Sequence, residues 1–183
     1  MSATPDRNVP GRLTRTGKWR FVLCGLLVGI CFASRLPEAF AGDSLVNRKA
    51  PEFVRKDLSG ARLDLKSLRG KIVLLNFWAT WCGPCQLEMP VFAKWQQQYG
   101  PQGLQVVGIS MDDAPAPVRR LVSKLKPNYP VAMGDATLGE RYGVLGLPLT
   151  YLIDKDGVVR AVFQGDVEVN SIERELKRML GHG

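Results

Sequence analysis

Ile72-Val73-Leu74-Leu75-Asn76-Phe77-Trp78-Ala79-Thr80-Trp81-Cys82-Gly83-Pro84-Cys85 is a nearly unbroken apolar run that ends in two cysteines separated by two residues. A run of this kind reads as a strand buried on both faces. The Gly83-Pro84 step reads as the turn into a helix, where the missing N–H of proline would have had no partner anyway. The spacing predicts Cys82 at the N-terminus of that helix. There, unpaired backbone N–H groups and the positive end of the dipole stabilise a thiolate. Cys85 then falls about one turn inside, close enough to attack the first sulfur and shielded from solvent. A free thiol titrates near ~8.5, and such a placement brings it to roughly 7 or below. Cys82 therefore reads as the nucleophile and Cys85 as the resolving thiol of a redox pair.

Other uses of the pair need residues the chain does not supply beside it. Half of a zinc site requires a second pair of ligands, but the remaining cysteines are Cys24 and Cys31 and the single histidine is His182. A haem attachment motif needs histidine directly after the second cysteine, and that residue is Gln86. A static disulfide across so short a loop gains little from the cross-link. No cofactor and no metal is called for.

The chain carries 25 basic and 17 acidic residues in 183, a net charge of +8. Residues 1–41 hold six of the basic and two of the acidic ones, which leaves 19 and 15, a net of +4 for the rest. Those charges are interspersed and form no stripe, so nucleic acid is not an expected partner. The first 41 residues have the order of an export leader. Arg12, Arg15, Lys18 and Arg20 precede the thirteen-residue run Phe21 to Ala33, and Ala39-Phe40-Ala41 gives a small-x-small cleavage pattern. The run is shorter than the ~20 residues that span hydrocarbon. We expect a signal peptide over 1–41 and a single domain over 42–183. The alternative is an uncleaved anchor with its basic side inside, and only then does the protein contact the membrane. Cys24 and Cys31 read as small hydrophobes of the leader.

Along the domain, 42–50 reads as a linker. Alternating residues on either side of Ser59-Gly60 predict a hairpin over 51–65. After the strand 72–78, a helix is expected over 83–99 with Pro90 inside it. A second buried strand follows at 104–110, a helix at 118–125, a short segment at 129–133 and a small helix at 137–142. Asp156-Gly157 places a hairpin between 149–154 and 158–163, and an amphipathic helix closes the chain over 169–180. The order implies a mixed sheet covered on both faces.

With the cysteine pair between strand and helix, and Gly146-Leu147-Pro148-Leu149-Thr150 before the final hairpin, the chain resembles thioredoxin-fold proteins. More narrowly, it resembles the exported thiol-disulfide oxidoreductases of the TlpA/ResA type. The similarity runs from about residue 45 to 180 and rests on the prelude ending in Leu65-Lys66-Ser67-Leu68-Arg69-Gly70-Lys71, the Trp78-to-Cys85 motif and the helix-bearing stretch 111–145. The resemblance implies an α/β thioredoxin fold with an N-terminal β-hairpin extension and a central helix-bearing insertion. It implies that Pro148 is cis and lies against the disulfide, leaving the N–H and C=O of Leu147 to pair with an extended client. Ordinary thioredoxins carry an aspartate where this chain has Asn76. The TlpA/ResA group instead has a glutamate three residues after the second cysteine, here Glu88, which shares a helix face with Cys85 and is implied to accept its proton. Trp78 and Trp81 are expected to pack beneath and beside the motif, with Trp81 also meeting the partner.

The resemblance implies a periplasmic reductase that passes electrons from a membrane thiol-electron donor to an oxidised client protein, with cytochrome c maturation as the setting. A disulfide oxidase running the same exchange backwards stays open. So do a peroxidase, although the threonine it normally places three residues before the reactive cysteine is here Ala79, and a copper-site assembly protein using His182.

Overall fold

A computed structural model describes residues 45–165 and 167–181; the leader, its cleavage point after Ala41, and His182 lie outside the described residues. Strands β1 (Val54–Lys56) and β2 (Arg62–Asp64) form an antiparallel hairpin. Strands β3 (Ile72–Trp78), β4 (Leu104–Ser110), β5 (Val131–Met133), β6 (Leu149–Ile153) and β7 (Val159–Gln164) form one sheet in the order β5-β4-β3-β6-β7. β3, β4 and β5 run parallel, while β6 is antiparallel to β3 and β7 to β6. Among the described residues, four α-helices complete it: α1 (Gly83–Tyr99), α2 (Pro115–Leu125), α3 (Ala136–Tyr142) and α4 (Val169–Leu180).

The seven residues of β3 are all buried, and their alternation divides the core in two. Ile72, Leu74 and Trp78 face α1, α2 and α4 through Met89, Phe92, Trp95, Val118, Ile172 and Leu176. Val73, Leu75 and Phe77 face α3 and the prelude through Phe53, Leu63, Leu65, Leu138 and Tyr142. The prelude is fastened to that second face by Tyr142, whose hydroxyl donates to Pro51 O at 2.6 Å, and by Arg141, which donates to Glu52 O at 2.8 Å.

Most expected elements are present, and the departures have local causes. Helix α2 begins at Pro115 rather than Val118 and takes both Pro115 and Pro117 into its first turn, where backbone N–H groups have no intrahelical acceptor to lose. Helix α1 runs through Pro90 without interruption. The second half of the expected linker is not a linker. Asn47 N–H donates to Val159 O at 2.8 Å, Val159 N–H to Arg48 O at 2.9 Å and Ala50 N–H to Gly157 O at 2.9 Å, which lays 47–50 along the β6–β7 hairpin. Gly157 turns that hairpin with φ of 75°, and a Cβ there would stand 1.5 Å from Arg69 Nη1. Among the described residues, no helix is long and apolar enough to cross a membrane.

Candidate active site

Trp78, the last residue of β3, pairs with Ser110 on β4, and Phe77 pairs with Leu149 on β6. The loop 79–82 therefore leaves the sheet between two neighbouring strands and turns into α1. Cys82 is the N-cap of α1, with extended backbone (φ −89°, ψ 104°) and its Sγ accepting the Cys85 N–H at 3.3 Å. The two sulfurs are joined as a disulfide, with Cα atoms 5.3 Å apart. Cys82 is 6% exposed and Cys85 is fully buried, so of the two only Cys82 reaches the surface. A sulfur at a helix N-terminus is in general placed where a thiolate is favoured.

Beneath the disulfide the environment is mixed. Glu88, 5% exposed, shares the buried face of α1 with Cys85, Met89 and Phe92. Burial, and secondarily the negative charge of Glu88, push the Tyr129 phenol well above its ordinary value, so its hydroxyl keeps its proton. Asn76 is buried on β3 and donates Nδ2–H to Thr150 Oγ1 at 3.0 Å. The strand position that resembles the thioredoxin aspartate thus holds a neutral, satisfied pair. Trp78 lies in the core below, over Gly108, where a Cβ would come within 3.1 Å of its Nε1.

On the other flank, the Leu147-Pro148 bond is cis, as expected. Because Leu149 stands opposite Phe77, Pro148 falls beside Trp78 at the mouth of the loop. Pro148 is buried and its carbonyl accepts the Gly165 N–H at 2.9 Å, while Leu147 is half-buried between the two cores. Trp78 packs beneath the motif as expected. Trp81 does not pack beside it: the side chain is 72% exposed. Leu87 and Leu145 are likewise exposed, at 77% and 75%.

One group of residues had no signal in the sequence. Asp112, two residues past the end of β4, accepts the Thr80 N–H at 2.8 Å and the Thr80 hydroxyl, and also the Ser110 hydroxyl at 2.8 Å. From the other side, Gln86 on α1 donates Nε2–H to Thr80 O at 2.7 Å. An Asp-Asp step after a strand reads only as a polar loop, and nothing local separates Asp112 from exposed Asp113.

The sequence profile of the AhpC/TSA family matches residues 46–162. The chain belongs to the AhpC/TSA family. Within that family it is 36% identical to thiol-disulfide oxidoreductase ResA of Bacillus thuringiensis subsp. konkukian over 135 residues, covering 73% of this chain and 78% of the relative. ResA of Bacillus subtilis is 34% identical over 161 residues, covering 86% and 87% respectively. A solved structure described as a putative thiol:disulfide interchange protein DsbE from Chlorobium tepidum superposes with a TM-score of 0.69 at 30% identity, over 73% of this chain and 96% of that one. This AhpC/TSA member is a thiol-disulfide oxidoreductase of thioredoxin fold, an enzyme class that acts on protein substrates.

Proposed function

We propose that this oxidoreductase is an exported protein-disulfide reductase. A Cys82 thiolate attacks a client disulfide, forming a Cys82–client bond and releasing one client thiolate. Cys85 then loses its proton to the Glu88 carboxylate and attacks the Cys82 sulfur. The Cys82–client bond breaks, the client leaves with its second thiol, and two electrons have passed from the Cys82/Cys85 dithiol to the client. A membrane thiol-electron donor restores the dithiol. The client strand docks along Leu147 and Pro148, with Trp81 against its flank. The observation that carries the reading is the unequal burial of the two cysteines at the start of α1, with Glu88 one turn further along the same buried face. That arrangement gives each cysteine a separate step.

The compartment follows from the leader. A basic stretch, a short apolar run and Ala39-x-Ala41 support export of the domain 42–183 to the periplasm or its equivalent, whether the leader is cut or retained as an anchor. In an oxidising compartment a dithiol needs a dedicated electron source, which is why a membrane donor belongs to the proposal. The haem-binding cysteines of an apocytochrome c are the client class we assign, in keeping with the resemblance to the TlpA/ResA group.

The test is trapping in the native host. The Cys85→Ser protein should accumulate a covalent client complex through Cys82, dissociated by dithiothreitol. Intact client reduction by that variant with no trapped complex would sink the assigned roles. A reduction potential near the ~−120 mV of a strong oxidant would reverse the direction.

A further inference from the structure

We infer that Asp112 is a positioning residue for the reaction: its carboxylate holds the loop before Cys82 so that the reduced sulfur stays on the α1 N-terminus. The inference rests on Cys82 as the nucleophile and deepens that reading. Parallel pairing of β3 with β4 sets Trp78 opposite Ser110, so two residues further on Thr80 meets Asp112. Met111 N–H donates to Trp78 O at 2.8 Å and carries the ladder one step beyond the strands. The Asp112 carboxylate then receives three donors, Thr80 N–H, Thr80 Oγ1–H and Ser110 Oγ–H. Hydrogen bonds to an ionised acceptor are roughly twice as strong as neutral ones. Thr80 is held at its remaining polar group too, since its carbonyl accepts Gln86 Nε2–H at 2.7 Å.

Every polar atom of Thr80 is thus engaged, with β4 on one side and the first turn of α1 on the other. Cys82 lies two residues later, its own N–H donating to Ala79 O at 3.1 Å. While the disulfide is closed, the bond between sulfurs fixes Cys82 against Cys85. Once it opens, that constraint is gone, and the anchored backbone alone keeps Cys82 Sγ aimed at the Cys85 N–H. A thiolate gains from a helix N-terminus only within the first turn, so a loop that drifts loses that stabilisation. Asp113, next in the chain, is exposed and serves as the internal control.

The charge of Asp112 acts the other way, since a nearby carboxylate disfavours a thiolate. The experiment separates the two. The reduced full-length protein and its Asp112→Ala, Thr80→Val, Thr80→Ser and Asp113→Ala variants are alkylated with iodoacetamide from pH 5 to 9, and the modified cysteine is identified by mass spectrometry. The anchor predicts that Asp112→Ala raises the Cys82 pKa, slowing alkylation at pH 6 by about tenfold, the equivalent of one pKa unit. Thr80→Val, which keeps the Asp112 charge, shifts the profile in the same direction by about threefold. Thr80→Ser and Asp113→Ala stay with the parent. A profile for Asp112→Ala that is unchanged, or moves to lower pH, would overturn the anchor, whatever the variant's melting temperature. First modification at Cys85 would overturn the assignment of Cys82 as nucleophile, and the anchor with it.

Discussion

Asn76 and Glu88 show how one substitution pattern redistributes polarity under a redox pair. The strand position is a neutral amide bonded to Thr150, buried and satisfied, and the carboxylate has moved to the helix that carries Cys85. In the proposed mechanism a carboxylate on that helix face serves the resolving step. Replacing Glu88 with Gln is therefore expected to slow resolution of a Cys82–client disulfide on the order of 10²-fold, the scale of a lost general base. Alkylation of Cys82 in the same variant should stay within about twofold of the parent, since the first attack by the Cys82 sulfur does not use Glu88. Rapid quenching with a peptide disulfide reads the first quantity; a resolution rate equal to that of the parent would remove Glu88 from the mechanism. Both residues were singled out in the sequence by the resemblance to the thioredoxin and TlpA/ResA patterns. Thr150 as the partner of Asn76 was not, because the two are 74 residues apart and meet only across the β3–β6 ladder.

At the scale of elements, the turns do as much as the strands to hold the site end of the sheet. Gly134 follows β5 where a Cβ would stand 2.7 Å from Met111 Sδ, 2.9 Å from Ile109 Cγ2 and 3.1 Å from Ser110 O. Two of those neighbours belong to β4 and cannot retreat without disturbing the strand that carries Ser110 and Asp112. Gly134→Ala is expected to cost about 1–3 kcal/mol, as overpacking does, read as a fall in urea midpoint; an unchanged midpoint would show that the loop gives freely. At the opposite end, Asp154 closes the β6–β7 hairpin. Its carboxylate accepts Val158 N–H at 2.8 Å, Asp156 N–H at 2.9 Å and Arg160 Nε–H at 2.7 Å. Burial opposes its ionisation, but these bonds and the Arg160 charge outweigh burial and hold its pKa below the ordinary carboxylate value. A depressed folded-state pKa contributes stability above the unfolded value, about 3.9, which is lost as the pH falls through the folded one. Asp154→Ala should thus destabilise the protein by about 1–2 kcal/mol at pH 7, with the gap to the parent narrowing below about pH 4. A gap that is constant from pH 7 to pH 3 would assign the effect to packing alone. The Asp-Gly signal for this hairpin was local. The strand-like pairing of 47–50 along it was not, since those residues carry no apolar alternation of their own.

For the whole molecule, direction of electron flow and stability are linked. A disulfide that is hard to reduce in the folded protein is one that stabilises the fold, whereas a strong oxidant is more stable reduced. The proposed reductase should consequently melt at a higher temperature with Cys82–Cys85 closed than open, by roughly 5 °C if the difference is one to two kcal/mol. A higher melting temperature for the dithiol would point to the oxidase. The sequence by itself determined the redox pair, the strand–helix junction that presents it, and the α/β class, because these depend on spacings of a few residues and on apolar alternation along single elements. It also singled out Glu88 and Pro148, through the resemblance to the TlpA/ResA group. Only the tertiary structure decided that Asp112 rather than Asp113 grips Thr80, that Trp81 stands in solvent while Trp78 lies in the core, and that Gly134 must remain bare. Those outcomes depend on which strands are neighbours and in what register, and register is a property of pairs of segments distant in the chain.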